Sequence, residues 1–383
     1  MKVLLTNYSL VRRGGTELYV RDLALGLLKR GHTPVVYSTE LGPVAEEIRH
    51  ETVPVVDDLS AVSAAPDVIH GHHSRETMTA LLRFPGVPAI YVCHDWYSRL
   101  DAPPKFPRLL RYVGVDQMTY DKLVYENAVP EERARLLPSF VDLDRFRPRA
   151  PLPARPKRAL ILCNYAEELP HLAAAREACA GVGVTLDAMG ALLGKPCEQP
   201  EKVLGRYDIV LCKGRTALEA MATGAAVILH VQQSLGPLVT SSELERLLPL
   251  NCGIRAMERA PDPEAFARAL LGEIERYDPS DAARVSRAVR EACGRDRAAD
   301  EFISIYEEVI SESRERGAPD PQQEGAAAAA YLRELVMAVN EERRDLHASS
   351  TYWLRERVRR VPLFGKLSVR LARRLAGRPA KAD

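Results

Sequence analysis

The chain has 383 residues, 46% apolar and 27% charged, with 53 basic against 52 acidic side chains and a net charge of +1. At about 100–200 residues per domain this accommodates two domains and an appendage, and the balanced average points to neither nucleic acid nor a membrane. Seven cysteines, scattered and without a C-x-x-C pair, argue against a disulfide framework or zinc site and suit free thiols in a reducing cytoplasm. No stretch approaches the ~20 apolar residues that span a bilayer, and MKVLLTNYSLVRR opens as a strand, its apolar run too short for a signal peptide. The expected localisation is cytoplasmic, with membrane contact only peripheral.

Residues 2–6 (KVLLT) read as a strand. A loop through Gly14 and Gly15 leads into TELYVRDLALGLLKRG, whose leucines recur at helical spacing and which closes on Gly31, and PVVYS at 34–38 is the next strand. Strand, Gly-containing loop, helix and strand make a βαβ unit, in which a glycine pair either allows close approach of a ligand or serves a tight turn. Further strands are predicted at 67–70, 89–93 and 111–115. His70, His72 and His73 follow one strand end, and His94 and Asp95 another. In an open parallel sheet those ends line the ligand crevice. The histidine cluster lacks carboxylate or cysteine partners at metal-ligand spacing, so no metal is expected. His94 reads as a positioning residue, since adjacent side chains such as Asp95 often point apart. The D-x-D of Asp142 and Asp144 is common spacing, and it runs into RPRAPLPARPKR (147–158), a Pro- and Arg-rich linker.

A second alternating series follows: a strand at 159–163, a helix at 168–180, a strand at 184–188, then YDIVLCKGRTALEAMATGAAVILH (207–230), a helix at 262–276, and helical sequence from Ser280 to about Gly317. Within the 207–230 stretch, IVLC and AVIL are buried parallel strands. Thr216 with Glu219 three residues later has the capping-box pattern, which predicts a helix from Thr216 to Gly224. Lys213, Gly214 and Arg215 then precede its first turn, where free N–H groups, the positive helix end and two cations suit a diphosphate.

From residue 318 the composition changes. AAAAAYLRELVMAVNEERRDL is a strong helix former with a partial seam at Leu332, Val339 and Leu346. Residues 351–383 hold ten basic residues against Glu356 and Asp383, with Phe364, Leu367, Leu371 and Leu375 on one helical face. Such a basic amphipathic segment suits an anionic membrane surface. The basic residues are not interleaved with stacking aromatics, so no nucleic acid is expected.

Taken together, residues 1–310 resemble the GT-B glycosyltransferases, in particular glycosyltransferase family 4. Gly14-Gly15-Thr16-Glu17 resembles that family's first loop, beside donor and acceptor. Val92-Cys93-His94-Asp95 matches its strand-end histidine, which helps hold the transferred sugar. LLPSFVDLDRF (136–146) resembles the segment usually reading Pro-Asn-Gly-Val-Asp, and LEAMATGAAVIL the second half of the Glu-x7-Glu signature. The resemblance implies that Glu219 binds the donor ribose, while Leu211 stands where the signature's first glutamate would be. NYAEELPH (164–171) lacks the family's Arg and Lys, so Lys213 and Arg215 become the leaving-group cations, with Arg12 and Arg13 behind them.

The expected architecture is α/β: two Rossmann-like doubly wound domains facing a cleft (1–148 and 159–317, joined by 149–158), then a helical, basic tail (318–383). The resemblance implies a retaining, metal-independent transferase that uses a nucleotide sugar as substrate and no cofactor. Its acceptor would be a lipid-linked glycan or cell-envelope polysaccharide, reached from the inner face of a membrane through residues 351–383. In this reading His94, Arg215 and Lys213 are catalytic, Gly14, Gly15, Gly214, Thr216 and Glu219 bind donor, and His72, His73 and Asp95 lie on the acceptor side. Two alternatives stand beside it: a non-catalytic GT-B scaffold binding nucleotide or glycan, and a nucleotide-sugar 2-epimerase.

Overall fold

The structure, a computed structural model, describes residues 1–164, 170–260 and 262–348. Two units are distinguished, Met1–Pro319 and Asp320–Asp383.

The first unit contains two sheets. The first is built from β1 (Lys2–Ser9), α1 (Gly15–Lys29), β2 (Thr33–Glu40), α2 (Pro43–His50), β3 (Val55–Val56), β4 (Val68–His72), α3 (Ser74–Arg83), β5 (Ala89–Cys93), β6 (Leu109–Gly114), α4 (Gln117–Asp121) and β7 (Ala134–Leu136). All seven strands are parallel, in the order β3-β2-β1-β4-β5-β6-β7. With helices covering both faces, parallel strands are mostly apolar runs: β5 (AIYVC) is buried at every position, and so is β4 (VIHGH), whose His70 and His72 are the polar exceptions.

The second sheet follows from β8 (Arg158–Leu162), α5 (Pro170–Gly181), β9 (Thr185–Met189), α6 (Pro200–Val203), β10 (Ile209–Cys212), α7 (Gly214–Thr223), β11 (Ala226–Val231), β12 (Ser234–Leu238), α8 (Leu244–Leu247), β13 (Glu258–Arg259), α9 (Pro263–Glu275), α10 (Pro279–Ala292) and α11 (Arg295–Arg316). Its order is β13-β12-β11-β10-β8-β9, parallel from β9 to β11 and antiparallel at β12 and β13. Both sheets therefore have a topological switch point, between β1 and β4 in the first and between β8 and β10 in the second.

The helical stretch expected from Ser280 to Gly317 is two helices. Gly294 separates them, with its extended backbone pressed against Leu143; a Cβ there would lie 3.0 Å from Leu143 Cδ1. Val285 and Val289 of α10 pack in the second sheet's core. Ala298, Ala299, Phe302, Tyr306 and Val309 of α11 pack instead in the first sheet's core, although 295–316 lies in the sequence range read as the second domain. The chain thus crosses between the sheets twice, side by side. Val141 N–H donates to Cys293 O at 2.8 Å and Arg295 N–H to Val141 O at 2.8 Å. Asp142 and Asp144 both pair with Arg295, at 2.8 and 2.9 Å, so the D-x-D is an ionic clamp on these crossings.

In the second unit, α12 (Pro321–Ala348) is one helix with Leu332, Val339 and Leu346 exposed. The basic segment 351–383 lies outside the described residues. Among the described residues no helix is long and apolar enough to cross a membrane.

Candidate functional site

Both switch points carry the loops singled out from sequence. In the first sheet, Gly14 caps α1 and Gly15 opens it. A Cβ on Gly14 would lie 2.4 Å from Glu17 Oε2, so this carboxyl is folded over the helix start, whereas Gly15 has open space around its Cα. Arg13 is not a free cation, since its guanidinium pairs with Glu47.

In the second sheet a single residue, Lys213, separates β10 from α7. The helix starts at Gly214, two residues before the predicted start, and Lys213 occupies the N-cap with no side-chain capping bond. Gly214 makes this possible. Its φ of +57° turns the chain directly from strand into helix, and its N–H is tied to Cys252 O at 3.1 Å. Thr216 is therefore inside the first turn, and Glu219 is not a capping residue. The predicted C-terminal signal does hold, with Gly224 at φ +90° in the left-handed region.

Glu219 is 4% exposed and accepts from Arg215 Nε at 3.0 Å, one turn earlier on the same helix. The other edge of the Arg215 guanidinium pairs with the carboxylate of Asp22 on α1, so this side chain bridges the two sheets' domains. Asp22 is fully buried and also pairs with Arg21, and Arg145 Nη1 approaches it at 3.9 Å. Burial works against the Arg215 charge, but Asp22 and Glu219 outweigh it and raise its pKa further. Burial likewise opposes ionisation of Asp22; Arg215, Arg21 and Arg145 reverse this and hold its pKa below the usual range. At Glu219 burial prevails over Arg215 and the pKa rises.

Arg21 and Arg145, which flank Asp22, also line a groove of about 1010 Å³ together with Arg13, Glu47 and Glu201 among others. Of the cations named from sequence Arg13 lines it, beside Asp142 and Asp144 of the D-x-D, and Arg13, Arg21 and Arg145 are matched by carboxylates.

The histidines form a second cluster beside this bridge. His72 Nδ1 and His94 Nε2 are 2.7 Å apart, one ring donating to the other. Tyr19 on α1 meets both edge-on, at centroid distances of 5.5 and 4.8 Å, and packs at 4.5 Å against Phe140, whose ring lies 5.8 Å from the Arg215 guanidinium. His70 Nδ1 bonds the Tyr306 hydroxyl of α11 at 2.5 Å. His73, at φ +61°, accepts from Tyr8 N–H through Nδ1 at 3.1 Å. Burial lowers the pKa of all four imidazoles: His70 to about 3, His73 to about 4, and His72 and His94 well below the usual value. They are neutral at pH 7.

The pairing of His94 with its neighbour Asp95 does not occur. Asp95 is exposed and accepts from Tyr97 N–H at 2.8 Å, while the His94 backbone N–H goes to Asp101. Among the described residues no group of three or more His, Cys, Asp or Glu is placed to hold a metal ion.

Residues 13–145 match the family model described as Glycosyltransferase Family 4, and no curated protein matches the chain in sequence. A glycosyltransferase from Rickettsia africae superposes with a TM-score of 0.58 at 14% identity, covering 81% of this chain and 98% of its own. HepE from Anabaena, solved in complex with UDP and glucose, superposes at 0.55 and 13% identity, covering 80% and 100%. The fold is GT-B.

Within this GT-B cleft the structure brings Arg215, Glu219, His72 and His94 together. Lys213 is exposed at its edge, His73 turns toward Tyr8, and Asp95 faces solvent. Sequence reasoning missed Asp22, Tyr19 and Phe140. The signal for the first was a charged pair, Arg21-Asp22, inside an otherwise apolar helical run. Three buried polar atoms here have no protein partner: Tyr19 Oη, His72 Nε2 and Arg215 Nη1. Such groups are uncommon in a settled core.

Two outcomes follow. Removing one member of a buried ion pair strands its partner, so Asp22→Leu should destabilise by about 3–5 kcal/mol in urea unfolding, and adding Arg215→Met should restore more than half of the loss. The histidines set an acid limit. Their folded pKa values lie below the ordinary 6.5, so in the interval from 6.5 down to about 4 and 3 the unfolded chain binds more protons. Stability is then full above pH 6.5 and falls as pH drops, by up to about 1.4 kcal/mol per pH unit for each histidine. Urea midpoints from pH 7.5 to 4.5 should show this, with a shallower slope for His70→Phe.

Proposed function

We propose that this protein is a glycosyltransferase that moves a sugar from a nucleotide-sugar donor to a lipid-linked glycan or cell-envelope polysaccharide, with retention and without a metal. The observation that carries the reading is the buried Arg215–Glu219 pair at the N-terminus of a switch-point helix, facing a neutral histidine pair across the cleft.

Transfer breaks the bond between the anomeric carbon and the diphosphate oxygen, forms one to the acceptor oxygen, and leaves the acceptor proton with the departing phosphate or solvent. The protein's task is to stabilise the leaving diphosphate. The first-turn N–H groups of α7, Lys213 and Arg215 supply positive charge without reorganising at the moment of reaction. For Arg215 to meet a diphosphate it must exchange the Asp22 carboxylate for it, an anion-for-anion swap coupled to domain movement. Glu219, already buried beside Arg215, then takes the ribose hydroxyls. His94 acts as a hydrogen-bonding group on the sugar. Its depressed pKa and its bond to His72 make it a poor base.

The basic segment 351–383 supports an acceptor at an anionic membrane surface and a peripheral, cytoplasmic location. The competing reading is a non-catalytic nucleotide- or glycan-binding scaffold. Leu211 favours it, because this side chain is fully buried in the core of the second sheet and offers the sugar no carboxylate.

Turnover separates the two. With UDP-, TDP-, GDP- and ADP-hexoses in the presence of EDTA, release of nucleoside diphosphate is expected from at least one donor, with or without a glycan acceptor. In the Asp22→Leu/Arg215→Met chain, folded but lacking the buried cation, that rate should fall at least 100-fold. An undiminished rate would contradict the role given to Arg215.

A further inference from the structure

Among the described residues, the tryptophan, tyrosine and phenylalanine side chains exposed by more than a third are three: Trp96 (48%), Tyr97 (82%) and Tyr125 (72%). Two of them are neighbours, and the third lies on a turn bonded to their loop. Trp96 and Tyr97 lie two and three residues past His94 on the loop after β5, their rings 6.0 Å apart at 63°. Tyr125 sits on the π-helical turn Lys122–Glu126, one turn beyond Lys122. The buried Lys122 donates from Nζ to Asp95 O at 2.8 Å and to Ser98 O at 3.4 Å, so it fastens this turn to the aromatic loop. Single π turns inside helices are often found at functional sites.

The loop backbone is built rather than loose. His94 N–H donates to Asp101 Oδ1 at 3.1 Å, Tyr97 N–H to Asp95 Oδ1 at 2.8 Å, and Leu100 N–H to Ser98 Oγ at 3.2 Å. A rigid backbone that turns large rings outward, when burial would be worth about 25 cal/mol per Å² of apolar surface, is arranged for something that covers those rings. Two exposed carboxylates, Asp95 and Glu126, adjoin them. Flat rings beside carboxylates match a neutral glycan, whose C–H faces stack on aromatic rings and whose hydroxyls donate to carboxylates. The same carboxylates oppose an anionic lipid surface.

We propose that Trp96, Tyr97 and Tyr125 form the acceptor subsite, a stacking platform for the terminal sugar rings of a neutral glycan that enters the cleft beside His94. The assignment rests on the transferase reading for its name as an acceptor site, but the binding itself does not.

The test uses the full chain labelled with 5-fluorotryptophan, the Trp96 fluorine resonance being assigned by its loss in Trp96→Phe. Titration with neutral oligosaccharides of glucose, galactose, mannose and N-acetylglucosamine should move that resonance saturably for at least one of them, with at least tenfold weaker binding in Tyr97→Ala. Phosphatidylglycerol vesicles should leave it in place. Movement with vesicles and not with oligosaccharides would make the patch a membrane contact and overturn the proposal, and so would no response to either. Thermal stabilisation by nucleoside diphosphates, read on the same samples, should be equal in wild type and Trp96→Ala. Its absence in both would count against the transferase reading while leaving the glycan result standing.

Discussion

The site depends on one buried cation. Arg215 is held between Asp22 from the first domain and Glu219 from its own helix, and none of the three side chains is more than 9% exposed. A buried guanidinium is tolerable only while carboxylates or their equivalent surround it. Domain separation would strip Asp22 from it, and the bare charge would then be costly unless another anion arrived. A diphosphate at the start of α7 is such an anion. In the proposed reaction a ligand of the right charge would replace Asp22 at Arg215, which would couple its binding to domain position through a single side chain.

The first-domain half of the site depends on a segment distant in the chain. His70 is bonded to Tyr306 and packed against Phe302, both on α11. That helix reaches the first core only because the chain crosses back beside residues 141–145, where Asp142 and Asp144 clamp Arg295. The neutral histidine array beside Tyr19 is therefore assembled by both crossings. Movement of one domain over the other would be felt there as well as at Arg215, which gives the two halves of the cleft a common mechanical origin.

Much of the fold was legible because its strands obey a strong local rule. Parallel strands buried on both faces are short apolar runs, so 89–93 and 209–212 were placed to the residue. The start of α7 was not, because a left-handed Gly214 followed by a backbone bond to Cys252 substitutes for the side-chain cap that Thr216 and Glu219 imitate. The fate of α11 was hidden because its helical period is the same whichever core it packs on. At the site, strand-end histidines and the loop before α7 were readable from topology. Asp22 was not, since its meaning lies in Arg215, 193 positions away. Leu211 was noticed for what it is not, and the structure places it as an ordinary core residue.

In the proposed function Glu219 and Arg215 form a nucleoside-diphosphate site, with Glu219 reading the ribose. Calorimetric titration of uridine, thymidine, guanosine and adenosine diphosphates into wild type and Glu219→Gln tests it most directly, with the 2′,3′-dideoxy analogue of the tightest binder alongside. At least one ribonucleoside diphosphate should bind wild type saturably. Removing the ribose hydroxyls or the Glu219 charge should weaken binding at least tenfold, and doing both should weaken it little further. Binding that ignores both changes, or no binding by any of the four, would contradict it.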